Sequence, residues 1–223
     1  MKRTRLRDRD LPDYTRGEEI FNMVSHIVGG ALAIAALVLC VIFSALGGDA
    51  WSVVASAIYG AMMVILYTMS SIYHGLTSEM VKKVFQVIDH CTIYFLIAGT
   101  YTPITLVGLR RVDPVIGFLV FGIVWGCCLV AATLTAIDLE KYKKMAMACY
   151  LGMGWCIIFF IRPTMQVLGP GGMVYLITGG LAYTIGAVLY GVGKRKRYIH
   201  SLFHLFVIAG SVLHFFMILF YVI

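Results

Sequence analysis

Apolar residues in this chain run for twenty or more positions at a time, and that fact removes most folds from consideration. About 20 consecutive apolar residues match the hydrocarbon thickness of a bilayer. The 223 residues are 61% hydrophobic and only 13% charged, against about 25% charged in an ordinary soluble domain. Seven runs of spanning length are expected, at 22–46, 51–75, 86–108, 114–136, 145–165, 172–192 and 199–222. Breaks fall at Gly47-Gly48-Asp49, Ser78 to Lys83, Arg110 to Pro114, Asp138 to Lys144, Leu168 to Gly172 and Gly193 to Arg197. The runs lack period-2 alternation and are too long for strands, which argues against a β-barrel. The expected fold is an all-α integral membrane protein, a seven-transmembrane helix bundle. A basic segment over 1–20 precedes a single helical domain over 21–223. Connections are too short to hold an extramembrane domain.

The net charge of +7 first suggests nucleic acid, but the placement of the charges argues otherwise. With the N-terminus cytoplasmic, the inner segments hold Lys2, Arg3, Arg5, Arg7, Arg9, Arg16, Lys82, Lys83, Lys141, Lys143, Lys144, Lys194, Arg195, Lys196 and Arg197. Only Arg110, Arg111 and Arg162 fall outside. That bias follows the positive-inside rule and predicts an N-terminus in the cytoplasm and a C-terminus outside. The charge then serves topology and contact with anionic lipid head groups rather than nucleic acid. Asn22, Ser25 and His26 occupy the start of the first run, and the run is too long for a signal-peptide core, so no cleavage is expected. Cysteines 40, 91, 127, 128, 149 and 156 lack zinc-ribbon or secreted-disulfide spacing and read as buried membrane thiols.

Against this apolar background six histidines stand out, because an ionisable side chain in a membrane span is costly and needs a reason. In the expected topology His26 opens span 1, His74 ends span 2, Asp89 and His90 open span 3, and His200 and His204 open span 7. Four non-contiguous helices thus deliver ionisable groups to one cytoplasmic layer. His200 and His204 stand at i, i+4 and share a helix face, a spacing by which a helix offers two imidazoles to one Zn²⁺. Ser70 and His74 have the same spacing. Glu19, Asn22 and His26 form another stripe. Three histidines and a water make an open zinc site of the catalytic type, with Asp89 placed to hold the water or a histidine. A lone membrane histidine is more often a helix–helix hydrogen bonder, and that is the plainer role for His214, about 15 Å along the helix from His204. It can also line a cavity above the site. HxxxH alone is a weak motif; its strength here comes from company at one depth.

These residues resemble the bacterial hemolysin III proteins, within the wider progestin and adipoQ receptor superfamily. The resemblance runs from Glu19 to the C-terminus. It rests on Glu19-Ile-Phe-Asn22-Met-Val-Ser25-His26, on Ser70-Ser71-Ile-Tyr-His74, on Asp89-His90-Cys-Thr-Ile-Tyr94 leading to Gly99-Thr100-Tyr101-Thr102-Pro103, and on His200-x-x-x-His204 with His214-Phe215. It implies seven helices in a bacterial cell membrane and a Zn²⁺ held by His74, His200 and His204. It also implies an Asp89 linked to the metal through water, with Ser70 as the motif serine. Some relatives in the superfamily are ceramidase-like lipid hydrolases or hormone receptors. The short segment before the first span leaves little surface for a soluble protein ligand, so the receptor role does not carry over.

Further residues have plainer readings. Pro103 inside span 3 predicts a kink. Tyr94 and Tyr101, seven apart, share a face that can point into a polar cavity. Lys194 to Arg197 reads as a topology anchor, and Trp51 and Trp155 as interfacial belt residues. Three functions follow. The first is a zinc-dependent hydrolase of a lipid amide or ester, with Asp89 and Ser70 catalytic and Glu19, Asn22, His26, His90, Tyr94, Tyr101 and His214 around the site or cavity. The second is a non-enzymatic regulator or sensor of membrane lipid state with a structural zinc. The third, a membrane-perturbing pore, ranks lowest, because the ionisable groups cluster in one leaflet instead of lining a channel. The expected partners are membrane lipids.

Overall fold

In the computed structural model the chain is helical, and residues 3–192 and 196–223 are described. Lys2, Lys194 and Arg195, counted above toward orientation, lie outside the described residues. Among the described residues there are no strands. Six helical stretches are long and apolar enough to cross a membrane: α1, Arg16–Gly47; α2, Ala50–Gly75; α3, Glu79–Val112; α4, Pro114–Ile137; α5, Leu139–Gly191; and α6, Ile199–Tyr221.

This count corrects the expectation of a seven-helix bundle by one. The runs expected as separate spans at 145–165 and 172–192 lie on the single 53-residue stretch α5. The expected break at Leu168 to Gly172 is no loop. Gly169 alone leaves helical geometry, at φ 58 and ψ −177, a conformation open to glycine and not to residues with a Cβ. Pro170 follows, and its missing N–H costs nothing at the start of a helical turn. The stretch therefore bends back without a linker. Trp155 Nε1 on the first arm donates to Thr184 Oγ1 on the second at 2.9 Å.

Short polar signals set the helix ends. Thr15 and Glu18 form a capping box ahead of α1. Asp113 accepts from the amides of Val115 and Ile116, with Pro114 as the first residue of α4. Asp138 accepts from Lys141 N at the start of α5. Asp49 caps α2 and takes Arg110 at 2.8 Å. The Ser52 amide and hydroxyl, with Arg110 beside them, hold the Asp49 carboxyl below the usual carboxylate range.

The helix α3 is central, with 83% of its apolar window buried. Pro103 cannot donate to the helix ladder. The helix answers with a π-helical turn over Ile104–Leu109. Thr102 and Thr105 bond back to the carbonyls of Ala98 and Tyr101, both at 2.8 Å. Tyr59, Met63 and Tyr67 of α2 fill the core beside it. Close approach of α1 and α2 depends on Gly60, where a Cβ would lie 2.7 Å from Leu37 Cα.

The segment ahead of α1 crosses one end of the bundle as a strap. Arg3 Nε donates to Ile137 O at 2.7 Å, and Thr4 N to Asp138 Oδ2 at 2.8 Å. Lys83 Nζ donates to Arg7 O at 3.1 Å. The strap, the α2–α3 connection, the α4–α5 connection and the start of α6 therefore share the end that carries most of the basic residues.

Candidate metal centre and its cavity

Two helix ends meet beneath the strap. His74 lies in the last turn of α2, and His200 and His204 occupy the first two turns of α6. All three are buried, and one nitrogen from each lies within 4.8 Å of the others. The Nε2 atoms of His200 and His204 stand 3.2 Å apart. Tetrahedral Zn²⁺ with Zn–N bonds of 2.0–2.1 Å separates its nitrogen ligands by about 3.3–3.4 Å, so this pair is spaced as two ligands of one ion.

His74 is oriented from outside the group. Its Nδ1 meets Glu19 Oε2 at 2.6 Å, and Lys82 Nζ meets Glu19 Oε1 at 2.8 Å. The carboxylate accepts the Nδ1 proton, which leaves Nε2 with the lone pair a metal needs. That Nε2 is buried and has no hydrogen-bond partner among the described residues. A buried ring nitrogen without a partner costs free energy, and a divalent metal facing it removes the cost. The donor set fits a borderline-soft divalent metal such as Zn²⁺.

The other residues singled out in the sequence fall around this group at different distances. His26 stacks on His204, with ring centroids 3.7 Å apart and 16° between planes, and meets Tyr67 edge-on at 5.1 Å. Both nitrogens of His26 and both amide atoms of Asn22 are buried without a protein partner. Ser70 is buried and faces the half-buried Asp89, which also feels the fields of His90 and His74. His90 points its Nδ1 at Gln86 O, 2.7 Å away, and its Nε2 at Tyr190 OH, 2.9 Å away. Tyr101 donates to Gly154 O at 2.9 Å and lines the cavity. Tyr94 bonds Thr135 on α4 instead and is not among the cavity residues. His214 lies deep in the cavity, with Nε2 on Leu176 O at 3.2 Å.

The cavity measures about 1100 Å³, at the upper end of the range for small-molecule sites. His200, His204, Asp89 and Ser70 belong to its wall. Leu66, Leu96, Ile97 and Val207 make its deeper wall apolar. The strap covers its mouth. Tyr14 stacks on His200 at 4.9 Å and 20°, and its ring lies 5.9 Å from that of His74. Burial pushes the Tyr14 phenol above its ordinary value, so it stays a neutral hydroxyl. At the same end, burial raises the Asp138 carboxyl, but bonds from the Thr4 and Lys141 amides outweigh it and hold the group below the usual range.

Tyr14 escaped the sequence reading. It sits in a charged, aperiodic segment, and the one local signal is an aromatic ring placed just before the Thr15 cap. Tyr190 escaped as well, because apolar periodicity does not separate a tyrosine on a cavity wall from one facing lipid.

Comparison with known proteins supplies the remaining finding. The model of the "Haemolysin-III related" family matches residues 14–215. The chain is 37% identical over 205 residues to hemolysin-3 of Bacillus cereus, covering 92% of each chain. It is 36% identical over 208 residues to the hemolysin-3 homolog of Bacillus subtilis (strain 168), covering 93% of this chain and 96% of the relative. The monocyte to macrophage differentiation factor of Homo sapiens is 26% identical over 203 residues, covering 89% of this chain and 79% of the relative.

Proposed function

The chain belongs to the haemolysin-III related family of multi-pass cell-membrane proteins, and on that footing we propose that it is a zinc-dependent hydrolase of a lipid amide or ester. The observation that carries the reading is the convergence of His74 with His200 and His204, the latter two on the wall of a cavity large enough for an acyl chain. Zn²⁺ bound by these residues would supply Lewis acidity toward a water and a carbonyl oxygen.

The protein's own groups do the rest. Asp89 accepts a proton from a water in the cavity and orients it. The Ser70 hydroxyl donates to Asp89 and keeps that carboxylate in place. Glu19 holds His74 in its working tautomer, and Lys82 balances the Glu19 charge. Tyr14 and the strap shield the mouth from bulk water, which strengthens every electrostatic contact inside. The apolar depth of the cavity takes the chain.

A second reading has an observation in its favour. The Lys82–Glu19–His74 bridge ties α3, α1 and α2 to one point, and α6 brings the other two histidines. A structural zinc there would clamp four helices in a protein that senses or regulates membrane lipid state.

Two measurements test the readings. Metal analysis of purified protein should find about one zinc per chain, lost in His200→Ala and in His204→Ala. Full zinc in both variants would sink the site. Lipid profiling of vesicles exposed to wild type and to Asp89→Ala should show a product formed only by wild type. Zinc without any lipid change leaves the structural role standing and removes the hydrolase.

A further inference from the structure

Among the described residues the strap carries one buried charge with no carboxylate within ion-pair distance. Arg9 is only 9% exposed. Its Nη2 reaches Lys83 O at 3.5 Å, the outer limit of a hydrogen bond, and its Nε is buried with no partner. Among the described residues no carboxylate lies within ion-pair distance of it. The carboxylates whose fields reach Arg9 are Asp138 and Glu140, and both are committed. Asp138 accepts from the Thr4 and Lys141 amides, and Glu140 pairs with Lys143. A guanidinium offers five donors in one plane. Burying it against one long bond is costly unless an anion takes the fork.

Arg9 lines the mouth of the cavity whose wall holds His200 and His204. Lys144, Lys196 and Arg197 line the same mouth, and among the described residues none of them is in an ion pair. The acidic residues of the mouth are mostly engaged. Asp8 pairs with Arg7, Glu140 with Lys143, and Glu18 with Thr15 and the Tyr198 amide. Asp10 and Asp13 are left, both exposed to solvent. Among the described residues Glu18 bonds only neutral groups and keeps its charge, so four cations against three carboxylates leave the mouth positive, and one of the four is buried. Arg197 precedes His200 by three residues, so the cationic rim and the histidine group are stacked along one short path.

A positive mouth above an apolar shaft suits a lipid that carries negative charge at its head. Two oxygens of a phosphate match the guanidinium fork. We propose that Arg9, with Lys144, Lys196 and Arg197 around the mouth, binds the phosphate of a lipid headgroup. The lipid that enters is then a phosphate-bearing ester or amide, not a neutral one. This rests on the cavity being a lipid site, and it names the class of lipid.

The test is titration calorimetry on the full chain in neutral detergent at about 0.15 M salt, where charge attraction beyond about 8 Å is screened. The probes are dioctanoylphosphatidic acid, dioctanoylglycerol and inorganic phosphate. Phosphatidic acid should bind at least about tenfold tighter than the diacylglycerol, the size expected of a charge-assisted contact. Arg9→Gln should remove most of that advantage. Arg197→Gln, outside the strap, should reduce it too and guards against a strap that merely loosens. Lys141→Gln, exposed and away from the cavity, should leave it within about twofold. Equal binding of the two lipids by wild type overturns the headgroup site while the hydrolase reading survives. A loss in Lys141→Gln as large as in Arg9→Gln reduces the effect to diffuse charge and also overturns it. Inorganic phosphate binding as tightly as the phospholipid assigns the site to the free ion and overturns the lipid assignment. Failure of both lipids to bind removes the lipid cavity itself. Arg9-dependent binding without any turnover keeps the headgroup site and discards the hydrolase.

Discussion

Glu19 Oε2 and His74 Nδ1 meet at 2.6 Å, and this bond determines which nitrogen His74 offers to His200 and His204. Nδ1 is taken, so Nε2 faces the group. Lys82 completes the chain at 2.8 Å, which keeps a carboxylate tolerable in a half-buried position.

Glu19→Gln keeps the shape and loses the charge. An amide at this position weakens the hold on the His74 ring. Zinc affinity should fall by about 10- to 100-fold, read by competition with a chromogenic chelator. An unchanged affinity would mean that Glu19 plays no part in orienting the ring.

Tyr14 covers the histidine group with its ring rather than its hydroxyl. Stacked aromatic pairs contribute about 0.5–1.5 kcal/mol. Tyr14→Ala should therefore speed zinc loss to excess chelator by roughly two- to tenfold, with Tyr14→Phe close to wild type. Equal rates in all three proteins would remove the cover.

Asp138 couples strap attachment to pH. Its folded pKa lies below the ordinary carboxylate value of about 3.9. Its contribution is therefore complete above about pH 4 and is lost as pH falls through the lowered folded value. Asp138→Ala should cost about 0.5–2 kcal/mol at pH 7, mainly as a lost helix cap. The gap between variant and wild type should narrow in acid. Thermal midpoints between pH 3 and pH 7 measure it, and a constant gap across that range would refute the assignment.

Gly60 and Gly122 offer a contrast in packing. A Cβ at Gly60 meets Leu37 Cα at 2.7 Å, while one at Gly122 meets nothing within 4 Å. Gly60→Ala should destabilise the α1–α2 contact by about 1–3 kcal/mol. Gly122→Ala should be neutral or slightly stabilising, since alanine favours the helix. Detergent-solubilised melting curves of the two variants should separate clearly.

Legibility in the sequence divides along physical lines. Helical class follows from run length, because a bilayer forces each spanning backbone to satisfy its own hydrogen bonds. The pairing of His200 with His204 follows from the helix repeat. The number of spans did not follow, because Gly169 and Pro170 turn the chain within a single continuous stretch where a loop was expected. The strap was also illegible. Arg9 depends on Lys83, 74 positions away, and Thr4 on Asp138, 134 positions away. No periodicity in a short charged segment encodes contacts at that range.

The sequence alone therefore determined a helical membrane protein, its close-spaced imidazole pair and the polar caps at its helix ends, all of them consequences of local geometry in an apolar solvent. The resemblance already set His74 beside that pair; only the tertiary structure decided that Glu19 selects its free nitrogen, and that Tyr14 and Arg9 come to stand over the cavity. Those facts depend on where distant helix ends meet, and packing sets that once the whole chain has folded.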